Sequence, residues 1–313
     1  MKKIFISTSN FDLSNFEDLD LFKKNNFEII LNQYKRRLNE VEIKSILSED
    51  GIIGLIAGLE PLNENVLSTA KSLKVISRCG IGLDNIDLKY TEVNNIKVFN
   101  TPDSPTTPVA ELTLAHILNL LRGVSIANAN IRSNKWGSIS GNLLEGKNVG
   151  IIGYGRIGRK VAKLIKAFGA NILIYDINKL ELDESIIQVS LEDLLTNCDI
   201  VSLHLPYTEQ SHHIISQKEL SLMKKSSIIL NLSRGGLINE NDLYNALFTN
   251  QISGAGIDAF ETEPYNGKLL NLENVLLTCH MGSNACEARI KMEKEAIKNL
   301  TNELKALNLL KDK

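Results

Sequence analysis

Asn148-Val149-Gly150-Ile151-Ile152-Gly153-Tyr154-Gly155-Arg156-Ile157-Gly158 decides how the chain is read. An apolar, β-branched run leads into three glycines, and a helical pattern over Arg156–Phe168 follows. A Gly-x-Gly-x-x-Gly string is weak by itself in a chain with 20 glycines; placed between a strand and a helix it becomes informative. Gly153 would allow a tight turn, Gly155 a close approach of backbone to a pyrophosphate, and Gly158 close packing of helix on strand. Tyr154, Arg156 and Ile157 fill the turn and the first helical positions, where N–H groups and the helix dipole favour an anion. A second strand, Ile172–Tyr175, ends in Asp176, 23 residues beyond Gly153. An acid at about that spacing accepts hydrogen bonds from a ribose diol and repels a 2′-phosphate. Ile177, Asn178 and Lys179 follow it without an arginine, so the reading is a dinucleotide site with NAD preferred to NADP. The plainer alternative is a strand-to-helix turn with an unrelated surface acid.

Outward from this motif, short β-rich runs alternate with helical patterns, which implies parallel α/β architecture. Before it, Lys3–Ile6, Ile52–Ala57, Lys74–Ser77 and Lys97–Phe99 read as strands. After it come Lys147–Ile152, Asn171–Tyr175, Ile200–Leu203, Ser227–Asn231, Gly254–Asp258 and Val275–Thr278. Between the two sets a helix is predicted from about Thr107 to Leu121, apolar almost all round and therefore buried between layers or subunits. His116 within it reads as core or interface. The expectation is an α/β fold of two doubly wound parallel-sheet, Rossmann-like domains. Residues 1–98, completed by the charged helix of 284–313, form one, and 99–283 form the other, inserted between.

Composition narrows the function. The 313 residues carry 35 Lys and Arg against 37 Asp and Glu, a formal charge of −2, so broad attraction to nucleic acid or an anionic membrane is not expected. The one basic run, Lys35-Arg36-Arg37, reads as a solvated face. The start has no apolar region long enough for a secretory signal, and no stretch approaches the roughly 18 apolar residues of a membrane span. Cys79, Cys198, Cys279 and Cys286 lack metal spacing, and His212-His213 reads as an exposed loop, so no metal is expected. Reduced thiols in a cytoplasm fit best.

Three later segments each start as a strand and place polar residues just beyond its C-terminal end, where open α/β sheets bind ligands. They are Asn231-Leu232-Ser233-Arg234-Gly235-Gly236, Gly254-Ala255-Gly256-Ile257-Asp258 running on to Glu263-Pro264, and Asn274 through Thr278-Cys279-His280-Met281-Gly282. Singly, Arg234 could be a surface ion-pair partner, Glu263 a loop end and His280 a satisfied buried histidine. With Ser77-Arg78-Cys79-Gly80-Ile81-Gly82-Leu83-Asp84-Asn85-Ile86-Asp87 and Val109-Ala110-Glu111-Leu112-Thr113, these motifs closely resemble the D-isomer-specific 2-hydroxyacid dehydrogenases, within them the phosphoglycerate dehydrogenase-like branch, over nearly the whole chain.

The resemblance implies an NAD-dependent oxidoreductase that interconverts a small D-2-hydroxy acid and its 2-oxo acid. Arg234 would be the substrate arginine, holding its charge and binding a carboxylate with two parallel hydrogen bonds. His280 would carry the proton, and Glu263 would orient its ring and favour imidazolium. The Gly80-Ile81-Gly82 turn resembles the loop whose backbone N–H groups hold the substrate carboxylate, with Arg78 either near the substrate or in a structural ion pair. His204, Pro206 and Thr208 lie on a cofactor loop, and Asp258 resembles the residue near the nicotinamide amide; His204 reads equally as a strand-end packing residue. Two departures bear on activity and substrate. Cys279 stands where the family usually has proline before the histidine, and Ile56-Ala57-Gly58-Leu59 lacks the arginine that phosphoglycerate dehydrogenases carry for phosphate, with Glu60 beside it. Glyoxylate or hydroxypyruvate reduction therefore competes with phosphoglycerate oxidation, and a non-catalytic, NAD-sensing corepressor-like binding protein is the rival from another class. A formate-type or phosphonate-type dehydrogenase is a third, less favoured. No tail follows residue 313, so the serine-feedback domain of longer relatives is not expected. By analogy the long helix supports a homodimer, in which Trp136 and Arg132 would reach the partner.

Overall fold

The computed structural model describes residues 1–183 and 185–312. They form two compact units, residues 1–105 with 283–313, and residues 106–282. The crossing falls after Pro105 rather than at the expected 98/99. The reason is local: Thr101 N donates to Gly80 O at 3.0 Å, Gly80 N donates to Thr101 Oγ1 at 2.7 Å, and the Asn100 side chain donates to Ile81 O at 2.8 Å. These bonds hold residues 100–101 to the first unit, and Ser104 donates to Glu295 of the C-terminal helix there.

The first unit holds a five-stranded sheet of β1 (Lys2–Ile6), β2 (Phe27–Leu31), β3 (Ile52–Ala57), β4 (Val75–Arg78) and β5 (Lys97–Phe99), in spatial order β2-β1-β3-β4-β5. Every pairing is parallel, so both faces must be covered. The helix Cys286–Ala306 returns to cover one of them: Ala296, Ile297, Leu300 and Leu304 pack with Ile4, Ile6, Ile56 and Val75. On the opposite side Ile43, Leu47, Val66 and Leu67 pack with Phe5, Leu55 and Ile76.

The second unit holds seven parallel strands: β6 (Asn148–Ile152), β7 (Asn171–Tyr175), β8 (Ile186–Gln188), β9 (Ile200–Leu203), β10 (Ile228–Asn231), β11 (Gly254–Ile257) and β12 (Val275–Leu277). Their order, β12-β11-β10-β9-β6-β7-β8, reverses direction between β9 and β6. At such a switch point the flanking connections leave to opposite faces and open a crevice at the C-terminal edge. The sequence-predicted strands are all present within a residue or two; β2 and β8 were not anticipated. The long helix runs over Thr106–Arg122 and buries Val109, Ala110, Thr113, His116, Ile117 and Leu121. Among the described residues no single helix is long and apolar enough to cross a membrane.

Candidate active site

The Gly153 turn is built as its sequence suggests. Gly153 has φ +93°, in the region that disfavours side chains, and a Cβ on it would lie 2.7 Å from His204 O. Gly158 sits where a Cβ would meet Gly153 O at 2.2 Å, so the helix Arg156–Lys166 packs tightly on the turn. At Gly155, the N-cap, nothing lies within 4 Å of where a Cβ would be. The first intrahelical bond there runs from Arg159 N to Gly155 O at 3.0 Å, leaving the earlier N–H groups of the turn, Ile157 among them, to an anion in that open space. Asp176 closes the far side: Oδ2 accepts from Tyr154 N at 2.9 Å and Oδ1 from Asn178 N at 3.0 Å. A carboxylate so fixed keeps acceptor capacity for a diol. Open space at a helix N-terminus with an acid at the next strand end fits a dinucleotide.

Two expectations for the neighbouring loop change. The His204 ring turns back onto its own strand, with Nε2 2.9 Å from Ser202 Oγ and Nδ1 buried without a partner. Burial holds the ring down at about 4, so it is a neutral packing residue and only its backbone meets the Gly153 turn. Thr208 spends its hydroxyl internally: Thr208 Oγ1 donates to Ser211 Oγ at 3.2 Å and accepts from Ser211 N at 3.2 Å, while Ser211 Oγ also accepts from Thr208 N at 2.8 Å and lies 2.9 Å from Pro206 O. Ser211, buried and not singled out in the sequence, is what shapes the loop over Pro206–Thr208.

The remaining groups rise from three adjacent strand ends. β10 and β11 pair with Asn231 opposite Ile257, and β11 and β12 with Ile257 opposite Leu277. Arg234 lies three residues beyond β10, Asp258 directly beyond β11, and His280 three residues beyond β12. Parallel strands are about 4.8 Å apart, so the three ends span about 10 Å. The Arg234 turn is held by Asn231, whose side chain donates to Arg234 O at 2.8 Å and accepts from Ser233 N at 3.1 Å. Gly235 then lets this turn press on the next: a Cβ there would meet Phe260 O at 1.9 Å.

Glu263 and His280 form the centre of the constellation. His280 Nδ1 lies 2.8 Å and 3.0 Å from the two Glu263 oxygens, and Phe260 N donates to Glu263 Oε1 at 3.2 Å. A carboxylate on Nδ1 fixes that nitrogen as the donor and leaves Nε2 for proton exchange. His280 itself has φ +50°, a left-handed conformation that costs energy in a non-glycine residue and persists only where surroundings impose it. Asp258 imposes it. Fully buried, it accepts from Met281 N at 2.9 Å, Gly282 N at 2.8 Å and the Thr278 hydroxyl at 2.6 Å. Asp258 thus supports the histidine loop, a part that its sequence position alone did not indicate. Cys279 is exposed and adds nothing to that support.

In the first unit, Gly80 has φ +141° and lies against the Arg78 guanidinium, which donates to Cys79 O. Arg78 is only 7% exposed and braces the turn through Cys79 O. The Gly80 N–H is committed to Thr101, so of the three expected backbone donors those of Ile81 and Gly82 remain. Among the described residues no group of three or more His, Cys, Asp or Glu side chains is arranged to hold a metal.

Comparison with known proteins agrees with this geometry. Residues 114–282 match the family description "D-isomer specific 2-hydroxyacid dehydrogenase, NAD binding domain". A hydroxypyruvate reductase of Thermotoga maritima is 37% identical, over 85% of this chain and 89% of that protein. A D-3-phosphoglycerate dehydrogenase of Methanocaldococcus jannaschii is 39% identical, over 80% of this chain but 51% of its own length. The structure of a D-lactate dehydrogenase of Aquifex aeolicus with NAD and lactic acid superposes with a TM-score of 0.83, at 27% identity, over 99% of this chain and 97% of that one. The chain therefore belongs to the D-isomer specific 2-hydroxyacid dehydrogenase family and is an NAD-dependent oxidoreductase of small 2-hydroxy and 2-oxo acids.

Proposed function

We propose that this enzyme reduces a small unphosphorylated 2-oxo acid of the glyoxylate or hydroxypyruvate kind, with Arg234, Glu263 and His280 as its catalytic residues. The pairing of His280 Nδ1 with both Glu263 oxygens, at 2.8 Å and 3.0 Å, carries the assignment. It is the geometry of a proton carrier oriented by a carboxylate. Arg234 supplies a permanent charge and a planar fork for the substrate carboxylate and carbonyl oxygen. As the carbonyl oxygen gains charge, His280 Nε2 delivers its proton there, and Glu263 stabilises the ring in its charged state. In the oxidative direction the same nitrogen accepts the hydroxyl proton. NAD(H), held by the Gly153 turn and Asp176, supplies or takes the hydride. Within the first unit, the Ile81 and Gly82 N–H groups are the donors suited to an anion, with Arg78 as their support.

Preference for an unphosphorylated acid rests on the end of β3. There the Gly58 N–H donates to the carboxylate of Glu60 at 3.1 Å and to Ser7 Oγ at 3.0 Å. Glu60 is 1% exposed and also bonds the Ser7 hydroxyl, so a backbone donor suited to a phosphate is already taken by the chain's own acid. The phosphoglycerate reading retains the support of relatives so named. Following NADH absorbance with glyoxylate, hydroxypyruvate and 3-phosphohydroxypyruvate separates the two: at least tenfold higher kcat/KM for the phosphorylated acid would overturn the preference. No turnover with any oxo acid, but intact NADH binding, would favour a sensor.

We also propose that the enzyme works as a homodimer in a reducing cytoplasm. The helices Thr106–Arg122 and Val124–Arg132 frame a mostly apolar groove lined by Ala115, Leu118, Val124 and Ala127 with Asn119 and Arg122. Ile131 in the second of these helices is 58% exposed and Trp136, just after it in the chain, is 94% exposed, exposed apolar side chains of the kind that partners cover. The four cysteines are free, as a reducing compartment requires. A monomer by sedimentation at micromolar concentration would rule the dimer out.

A further inference from the structure

We propose that His116 is a positioning residue for the reaction, acting through Thr278 and Asp258 on the backbone that presents His280. The inference rests on the reading of His280 as proton carrier. His116 occupies the buried face of the helix Thr106–Arg122, among Val109, Ala110, Thr113, Ile117 and Leu121, and is 2% exposed. An imidazole in such surroundings costs stability unless its polar atoms are bonded. Only one of its two nitrogens is: Nε2 lies 3.2 Å from Thr278 Oγ1, while Nδ1 has no partner. An apolar side chain would pack there without that cost, so the bond to Thr278 is what the ring offers the fold.

The direction of the chain of hydrogen bonds follows from proton counting. Thr278 has one hydroxyl proton, and at 2.6 Å it goes to Asp258 Oδ1. Its oxygen can then only accept from His116. His116 is therefore the neutral tautomer with hydrogen on Nε2, and burial lowers its affinity for a second proton. Asp258, the charged group facing the ring through Thr278, receives that hydroxyl together with Met281 N and Gly282 N. A hydroxyl that accepts on one side donates more strongly on the other, so the ring tightens the grip that holds His280 at φ +50°.

The sheet makes room for the arrangement. At Gly256 in β11 a Cβ would fall 2.8 Å from His116 Nδ1. A side chain at 256 would displace the ring from Thr278, and the residue two positions on is Asp258 itself. Helix, strand and histidine loop are thus joined at one polar contact inside an otherwise apolar layer.

The test compares His116→Leu, which keeps bulk but loses the donor, with His116→Gln, whose side-chain amide can donate to Thr278. The readouts are kcat, KM, NADH affinity and the pH profile of kcat/KM. Leu at 116 is expected to lower kcat about tenfold, the scale of one lost hydrogen bond, with KM and NADH affinity within twofold of the parent. The pH profile should shift, and Gln should restore both kcat and profile. Thr278→Val breaks the same link from the other side and is expected to match His116→Leu, which covers the case in which the helix variant fails to fold. A lower melting temperature with parental kcat and parental pH profile in His116→Leu and Thr278→Val would reduce His116 to packing and overturn the inference. His280→Asn is measured alongside: loss of turnover there with none in the other two sinks only the inference, whereas parental turnover in His280→Asn sinks the reading on which it stands.

Discussion

Gly235→Ala should disable the enzyme without touching a reacting group. The substitution adds one carbon, which would lie 1.9 Å from Phe260 O, 2.1 Å from Phe260 C and 2.6 Å from Glu261 N. Ordinary carbon–oxygen contact begins near 3.4 Å, so one of the two segments must retreat by about 1.5 Å. Gly235 is not among the positive-φ glycines, so the effect is purely steric, and overpacking of this kind costs about 1–3 kcal/mol. Retreat of Phe260 carries its N–H away from Glu263 Oε1, and Glu263 in turn holds His280. Retreat of the other segment moves Arg234. Either way two partners in one reaction lose register by about 1 Å, a displacement that can cost on the order of 10²-fold in rate. The Gly153 turn belongs to β6, with β9 and β10 between it and β11, so NADH affinity should stay within twofold. Steady-state kinetics with NADH and an oxo acid, NADH fluorescence titration and thermal melting decide the matter. Full kcat with an unchanged melting temperature would show that the Arg234 and Phe260 segments are not rigidly coupled, and the reasoning would be wrong.

Asp176→Ala should narrow the preference for NADH over NADPH by roughly tenfold or more, because a fixed anion near a 2′-phosphate is worth about 1–2 kcal/mol at an effective dielectric between protein and water; an unchanged ratio would deny Asp176 its ribose role. His204 is held neutral by burial, at about 4 against an ordinary 6.5. Unfolding therefore takes up a proton in that window, and stability present above pH 6.5 is lost as pH falls toward 4, by an amount on the order of 2–3 kcal/mol. His204→Gln should flatten this acid loss in denaturant titrations at pH 7 and pH 4.5, whereas an equal loss in both proteins would place the acid sensitivity elsewhere.

Much of the fold was legible because parallel strands buried on both faces read as short apolar runs, as Asn148–Ile152 and Ile200–Leu203 do. β2 escaped because Phe27-Glu28-Ile29-Ile30-Leu31 follows a charged stretch and becomes a strand only through its register with β1. β8 is three residues long and exists through pairing with β7 at the sheet edge. At the site, residue types and strand-end positions were readable, but the direction of side chains was not. That Asp258 supports the histidine loop was not readable, because its donors, the N–H groups of Met281 and Gly282, lie 23 and 24 residues away. His204 turns back to Ser202 on its own strand and Ser211 to Thr208 within one loop, choices of side-chain direction that spacing leaves open. The bonds of Asp258 to the histidine loop and of His116 to Thr278 depend on partners from other elements, which periodicity does not encode.

Replacing His280 by alanine and measuring single-turnover reduction of a small 2-oxo acid with NADH already bound tests the central claim most directly. The account predicts a fall of about 10²–10⁴-fold, the usual contribution of a positioned acid or base, with NADH bound as tightly as before. Parental turnover in that variant would contradict it.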